Sequence, residues 1–439
     1  MKEPIRVLQI IGIVAGGGVE AVIMNYYEHI DRTKVQFDFI VHNDNKIDIT
    51  QKVEAMGGRV YKVTPYYKNP IAFMHGIYKV IRNHHYRIVH SNMNTLSAFS
   101  LFAARAAGAP VRILHNHSTS SPGETKRNIM KFILRPFARL FANHYLACSL
   151  LAGEWMYGRK MMDSGKVTIV NNAIDLKKYA FNPQKRKILR KELGLTDEFV
   201  IGHVGRFMFQ KNHVFLLVAF AAALKKKPHM VLLLIGDGPL RPKIEEKVQQ
   251  LGIGAQVKFL GLRSDVQDLY NAMDLFVLPS HYEGLPVVGV EAQANGLPCL
   301  FSTAVTRETK LTKNAAFFDL SQGAERWAEK IVSYTGERNQ EVEKEMREAG
   351  FDIDASALQL EHMYEQMSIG GDTVAVRLHM ADSLKMERYG FLPCFLNGRH
   401  VYESLTRRRV CAGRCSHIYQ DTAGASRTSG NRGLSHLLR

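Results

Sequence analysis

Arg6-Val7-Leu8-Gln9-Ile10-Ile11-Gly12-Ile13-Val14-Ala15-Gly16-Gly17-Gly18-Val19-Glu20 is the stretch whose reading decides the fold. Residues 6–14 are short, β-rich and apolar, three glycines break them, and residues 20–30 continue at helical spacing. A strand that runs through a glycine turn into a helix is the opening of a doubly wound α/β domain. The series continues outward from there. Residues 36–41, 59–63, 87–90 and 112–115 read as strands, with helical stretches at 49–56 and 71–83 between them. Strands that alternate with helices imply a parallel sheet covered on both faces. The stretch 171–186, with Asn171-Asn172 and Asn182-Pro183, reads as a linker, after which the pattern restarts. Residues 199–204, 230–235, 257–260 and 275–278 are the second set of strands, and 242–251 and 283–295 are helices. The expected fold class is therefore α/β, two Rossmann-like doubly wound domains facing across a cleft. The boundaries are 1–172 for the first domain, 173–350 for the second, 351–368 for a last amphipathic helix and 369–439 for a tail. That helix is expected to bury Leu358, Leu360, Met363, Tyr364 and Met367.

The chain has 439 residues, 58 Lys+Arg against 41 Asp+Glu, and a net charge of +17. Its 46% hydrophobic and 23% charged content is that of an ordinary globular protein. No window reaches the ~18 uncharged apolar residues of a membrane span; the longest, 214–224, falls short. The apolar N-terminal run reads as a buried strand rather than a signal peptide, and five cysteines make no disulfide framework, so a reducing cytoplasm is expected. Residues 369–439 differ from the rest, with Arg outnumbering Lys ten to one against 20 Arg and 27 Lys in residues 1–368. We expect a disordered, adventitious tail, as from out-of-frame read-through; the sharper alternative is a zinc site of Cys394, Cys411, Cys415 and His417, whose spacing matches no strong template.

Three constellations carry chemistry. The Gly16-Gly17-Gly18 loop, at a helix start, offers backbone amides to an anion. Read as Gly16-x-Gly18-x-x-Ala21 with Asp44 as acidic partner, it also satisfies the dinucleotide fingerprint, which alone is a weak signal. Gly205-Arg206-Phe207 and Gln210-Lys211 place two cations five residues apart after a strand, an Arg fork and a Lys point charge suited to a diphosphate. Glu283-Gly284-Leu285-Pro286-Val287-Val288-Gly289-Val290-Glu291 places two carboxylates eight positions apart around a helix start, whose free amides hold phosphate. About two turns separate Glu283 from Glu291, so the pair is expected on one face. Asp352-x-Asp354 is read as a cap of the last helix, not as a metal motif. In 126–141, Arg127, Lys131, Arg135 and Arg139 recur every four residues beside Ile129, Phe132, Ile133, Phe137, Leu140 and Phe141. This basic amphipathic helix suits anionic lipid or, equally, simple packing with a solvated basic stripe. The net charge brings no nucleic-acid motif with it, and no nucleic-acid partner is expected.

Arg206 with Lys211, Gly236-Asp237-Gly238-Pro239, Phe259-Leu260-Gly261 and the Glu283…Glu291 pair resemble the donor half of family 4 glycosyltransferases, which have the GT-B fold. Gly17-Gly18-x-Glu20 matches their N-terminal glycine loop. Residues 112–118, with His115 and His117, and 147–158 resemble the branch that builds capsular and other extracellular polysaccharides in bacteria. The resemblance spans about residues 4–368. It implies that Arg206 and Lys211 bind the diphosphate of a nucleotide-sugar donor, UDP being the expected nucleotide, with help from the backbone around Gly284, Leu285, Pro286 and Val287. It implies Glu291 at the ribose and Glu283 at the transferred sugar. Gly16, Gly17 and Gly18 would line the acceptor side, and His117 or His115, with preference for His117, would face the reacting sugar. The implied reaction is a retaining, metal-independent transfer to a lipid-linked or polysaccharide acceptor, with no cofactor and peripheral attachment to the anionic inner-membrane face. The alternatives are a non-catalytic nucleotide-sugar-binding subunit, a sugar-nucleotide epimerase, and an NAD-dependent oxidoreductase that leaves the Glu283…Glu291 half unexplained.

Overall fold

The computed structural model describes residues 3–14, 18–45, 47–120, 125–370, 391–396 and 399–404. Two parallel sheets dominate it. The first contains β1 (Ile5–Gly12), β2 (Val35–His42), β3 (Val60–Val63), β4 (Ile88–Ser91), β5 (Val111–Asn116), β6 (His144–Ala147) and β7 (Val167–Ile169), in the order β3-β2-β1-β4-β5-β6-β7. The second contains β8 (Phe199–Val204), β9 (Met230–Ile235), β10 (Val257–Gly261), β11 (Leu275–Leu278), β12 (Cys299–Ser302) and β13 (Ala315–Phe318), in the order β10-β9-β8-β11-β12-β13. In both sheets the chain reverses direction of growth beside the first strand, between β1 and β4 and between β8 and β11.

Every residue of β8 and β9 is buried, as strands covered on both faces require. Alternate side chains go to opposite layers: Ile201, Leu232 and Leu234 pack with Phe220 and Trp327, while Val200, Val231 and Leu233 pack with Tyr270 and Phe276. The strand reading of the sequence omits β6, β7, β12 and β13. All four lie toward one side of their sheet and have three or four residues each, about the length of the recognised β3, β4 and β11.

The closing helix, Ile353–Ile369, follows the second sheet in sequence but packs on the first. Ile353, Ala357, Leu360, Met363, Tyr364 and Met367 join Val7, Phe37 and Tyr26 in one apolar cluster. Leu358, expected on the buried side, is instead 49% exposed, because it lies about 100° round the helix from Ala357 and so off the Ala357–Tyr364 stripe. Asp352 caps the helix, its carboxylate accepting from the Asp354 amide, as the spacing suggested. The two passages of chain between the halves are tied to each other: the Ile174 amide donates to Phe351 O, the Ile353 amide to Ile174 O, and Asn171 Nδ2 to Gly350 O.

Residues Phe391–Leu396 and Arg399–Ser404 pair as a separate antiparallel ladder. The remainder of the tail, including Cys411, Cys415 and His417 of the zinc reading, lies outside the described residues, as do Gly16 and Gly17.

Candidate active site

The candidate residues collect at the C-terminal ends of the strands that flank the two switch points, where open α/β sheets bind ligands. On the second sheet the loop after β8 carries Arg206 and Lys211, and the loop after β11 carries Glu283. These loops meet. Lys211 Nζ lies 2.7 Å from Glu283 Oε1, both side chains nearly buried, and Glu283 also accepts from Gln210 Nε2 at 3.0 Å and Ser280 Oγ at 3.0 Å. Three polar groups thus hold one carboxylate at the mouth of the sheet. Arg206, in the same loop, is exposed and has no ion-pair partner among the described residues. The loop is backed by that of β9, which is why glycines stand there. Gly236 has φ +129°, and a Cβ on it would lie 2.2 Å from Gly205 O; one on Gly238 would lie 2.5 Å from Phe207 O.

The expectation that Glu283 and Glu291 share a helix face is corrected by the structure. The helix is Val287–Ala294, with Pro286 at its N-cap, so Glu283 lies in the loop four residues ahead of it. Pro286 has no amide hydrogen and the chain before it is extended, which delays the helix start. Glu291 lies inside the helix and accepts from Tyr179 OH at 2.9 Å and Tyr270 OH at 2.8 Å. Burial raises its pKa, and the two phenol donors oppose that rise by stabilising the anion. Each carboxylate oxygen retains lone-pair capacity for a further hydroxyl.

The donor helix also touches the first domain. Val287 packs against the apolar cluster of that domain, and a Cβ on Gly18 would stand 3.6 Å from Val287 Cγ2. Asn172 Nδ2 donates to Leu285 O at 3.4 Å. Across the same junction Glu308 accepts from the amides of Leu150 and Leu151, at 2.6 and 2.9 Å, at the start of helix Leu150–Tyr157. The Gly18 turn and the Gly284–Val287 turn therefore face one another.

On the first sheet the site is built of neutral groups. His115 is the penultimate residue of β5 and is 4% exposed; its Nδ1 lies 3.1 Å from His90 Nε2, and its Nε2 is buried without a partner among the described residues. His117 is two residues further on, partly exposed, its ring 3.9 Å from that of His115. Its Nε2 bonds Asn92 Oδ1 at 3.0 Å, and its amide donates to Asn94 Oδ1 at 2.6 Å. Burial depresses the pKa of His115 far below the usual imidazole range and those of His90 and His117 to about 3. All three rings are neutral at pH 7. Sequence reading found His115 and His117 but missed their supports. Gln9, His90, Asn92 and Tyr364, like Tyr179 and Tyr270 beside Glu291, are separated by tens to hundreds of residues, with no local pattern to mark them.

Helix Thr125–Phe141 inverts one expectation. Arg127 is exposed, but the other three cations of the stripe turn inward: Lys131 Nζ donates to Thr119 O, Arg135 to Trp155 O, and Arg139 reaches Met161 Sδ. Its apolar residues face out, Phe132 at 70% exposure and Leu140 at 62%, with Ile129, Ile133 and Phe137 also exposed. The backbone carbonyls at the ends of the neighbouring elements need donors, and the long cationic side chains supply them. No helix among the described residues is long and apolar enough to cross a membrane. Asp44, the acidic partner of the dinucleotide reading, is committed to Lys68 at 2.8 Å and Tyr67 OH at 2.7 Å.

Comparison with known proteins agrees with this architecture. Residues 16–178 match the family model described as Glycosyltransferase Family 4, and residues 185–351 that of Glycosyl transferases group 1. The chain is 34% identical over 368 residues to a protein of Bacillus subtilis named putative glycosyltransferase EpsF, covering 82% of this chain and 96% of that one. It is 31% identical over 247 residues to the UDP-Gal:alpha-D-GlcNAc-diphosphoundecaprenol alpha-1,3-galactosyltransferase of Escherichia coli, covering 54% of this chain and 63% of the relative. Among solved structures, Anabaena Alr3699/HepE in complex with UDP-glucose superposes with a TM-score of 0.68 at 22% identity, covering 82% of this chain and 99% of the other. Two parallel sheets whose switch points face a shared junction, and matches that span both, lead to one assignment: the chain belongs to the family 4, group 1 glycosyltransferases and has the GT-B fold.

Proposed function

We propose that this glycosyltransferase moves a hexose from a UDP-linked donor to a lipid-diphosphate-linked glycan, in the assembly of a bacterial surface polysaccharide, with retention of anomeric configuration and without a metal ion. The observation that carries the reading is the Lys211–Glu283 pair beside the free Arg206, opposite the start of helix Val287–Ala294. Diphosphate charge develops when the sugar–phosphate bond breaks. Arg206, Lys211 and the amides of Leu285 and Val287 supply preorganised positive charge that lowers that barrier. Once phosphate engages Lys211, Glu283 is released to accept a hydroxyl of the transferred sugar. Glu291, steadied by Tyr179 and Tyr270, accepts from the ribose. His117 faces the sugar from the first domain, and the Gly16–Gly18 loop lies on the acceptor side of the β-phosphate, whose oxygen takes the acceptor's proton.

The named lipid-diphosphate substrate of the E. coli relative supports the acceptor class, and the apolar outer face of helix Thr125–Phe141 supports peripheral attachment to the cytoplasmic membrane face. The oxidoreductase alternative is disfavoured, because Asp44 is committed elsewhere and the donor-half constellation has no role in it.

The test is nucleotide release from UDP-, GDP- and ADP-sugars by the purified protein, with and without membrane lipid extract. Lipid-dependent UDP release that is lost in Arg206→Ala is the expected result. Release from GDP- or ADP-sugars alone, or undiminished release by the variant, overturns the donor assignment. Activity abolished by EDTA and restored by a divalent cation overturns the metal-free reading.

A further inference from the structure

Glu308 stands on the loop after β12, and that loop is pinned to both elements that carry the donor site. The Glu283 amide donates to Ala304 O at 3.3 Å, and Gln293, buried in helix Val287–Ala294, donates from Nε2 to Thr309 O at 2.8 Å. Between those two points Val305 is buried, and the Arg307 guanidinium lies over the Phe317 ring, 4.3 Å from its centroid. Glu308 is therefore anchored to the frame that holds Glu283.

Its carboxylate reaches the first domain. The two oxygens accept from Leu150 and Leu151 at 2.6 and 2.9 Å. These are the first two amides of helix Leu150–Tyr157, which the helix itself cannot satisfy. Ser149 Oγ, at the N-cap, accepts from the third, Ala152, at 3.1 Å. A side chain of the second domain thus completes a helix cap in the first, and the helix dipole adds to the two charge-assisted bonds. That helix start is in turn tied to the strand end beside His117. The Cys148 amide donates to Asn116 O at 3.0 Å, and Asn116 Nδ2 donates to Ala152 O at 2.9 Å.

We propose that Glu308 is a positioning residue that clasps the two halves together and so sets His117 at the transferred sugar. The catalytic part of the inference rests on the roles given to Glu283 and His117 above. The clasp joins their two frames through contacts other than the covalent passages between the halves. It is also reversible by construction. Leu150 and Leu151 are 46% and 40% exposed, so water can take over the amides and the carboxylate when the halves part. Exchange of protein for water bonds keeps the net cost of opening small, as substrate entry and product release require.

The experiment uses the full chain, wild type and Glu308→Ala, with UDP present. Hydrogen exchange at the Leu150 and Leu151 amides, small-angle X-ray scattering, UDP calorimetry and initial rates are compared. The variant is expected to exchange both amides about tenfold faster, to show a larger radius of gyration, and to lose about tenfold in kcat with UDP affinity unchanged. Glu308→Gln, which keeps a side-chain oxygen for one amide, is expected to fall between the two. Leu150→Pro breaks the clasp from the other side. Proline suits the first helical position, and Ser149 before it is already extended, at φ −163° and ψ 162°. It is expected to match Glu308→Ala in scattering and kcat, which covers a Glu308 variant that fails to fold. Wild-type exchange and scattering in Glu308→Ala, an undiminished kcat in variants that open, or a loss of UDP affinity in place of kcat overturns the proposal. A wild type that turns over no sugar donor refutes the transferase reading instead, and exchange and scattering still decide the clasp.

Discussion

The two halves of the molecule use one sheet plan and opposite electrostatics. At the switch point of the second sheet stand an ion pair, a free guanidinium and a carboxylate held by two phenols. At that of the first stand three neutral imidazoles, two amides and the Tyr364 hydroxyl in one hydrogen-bonded chain. Strand order dictates where each cluster sits, but the side chains dictate what it can bind. The charged cluster suits the diphosphate of a donor. The neutral cluster suits sugar hydroxyls, which need oriented donors and acceptors and no net charge.

Substitutions can break this division. The largest effect is expected for Lys211→Ala, which strips the partner from nearly buried Glu283. Removing one member of such a pair costs about 3–5 kcal/mol, so both the melting temperature and turnover should fall, turnover by at least about 100-fold. Glu283→Gln in the same background is expected to recover stability but not turnover. Next comes His117→Ala, expected to lower kcat by about 100-fold with UDP affinity unchanged, as read by initial rates and calorimetry. Arg206→Ala, at an exposed position, is expected to weaken UDP binding about tenfold, the size of one lost charge-assisted hydrogen bond, and to leave the melting temperature alone.

Acid should act on the neutral cluster first. His90 and His117, with folded pKa values of about 3, bind fewer protons folded than unfolded between that value and about 6.5. Their stabilising contribution is complete above pH 6.5 and is lost as pH falls toward 3. A melting temperature that stays level between pH 7 and 5 would contradict this. The smallest effect is expected for Phe132→Ser with Leu140→Ser, which should reduce co-flotation with anionic vesicles several-fold while leaving soluble-donor binding intact, since side chains only partly sunk into the headgroup layer contribute well under the ~1.5–3 kcal/mol of full burial.

How much of this was legible beforehand follows from sequence distance. The glycine turn after β1, the cation pair after β8 and the turn before helix Val287–Ala294 are local patterns, and they marked the site. The missing strands, β6, β7, β12 and β13, have three or four residues each, about the length of the recognised β3, β4 and β11, so length alone did not hide them. The outward apolar face of helix Thr125–Phe141 could not be foreseen, because periodicity separates two faces of a helix without saying which one the protein covers. Pro286 was visible, yet the helix was extended through it, and the shared-face argument for Glu283 and Glu291 failed there. Tyr364 and His90 are 274 residues apart, so their bond exists only once the closing helix returns to the first sheet.

The division of labour between the halves is tested most directly by titrating UDP into wild type, Arg206→Ala and His117→Ala by calorimetry, alongside their turnover of UDP-sugar. The account predicts that Arg206→Ala loses affinity for UDP, while His117→Ala binds UDP as the wild type does and fails to turn the donor over. Equal loss of UDP affinity in both variants, or wild-type affinity in Arg206→Ala, would contradict it.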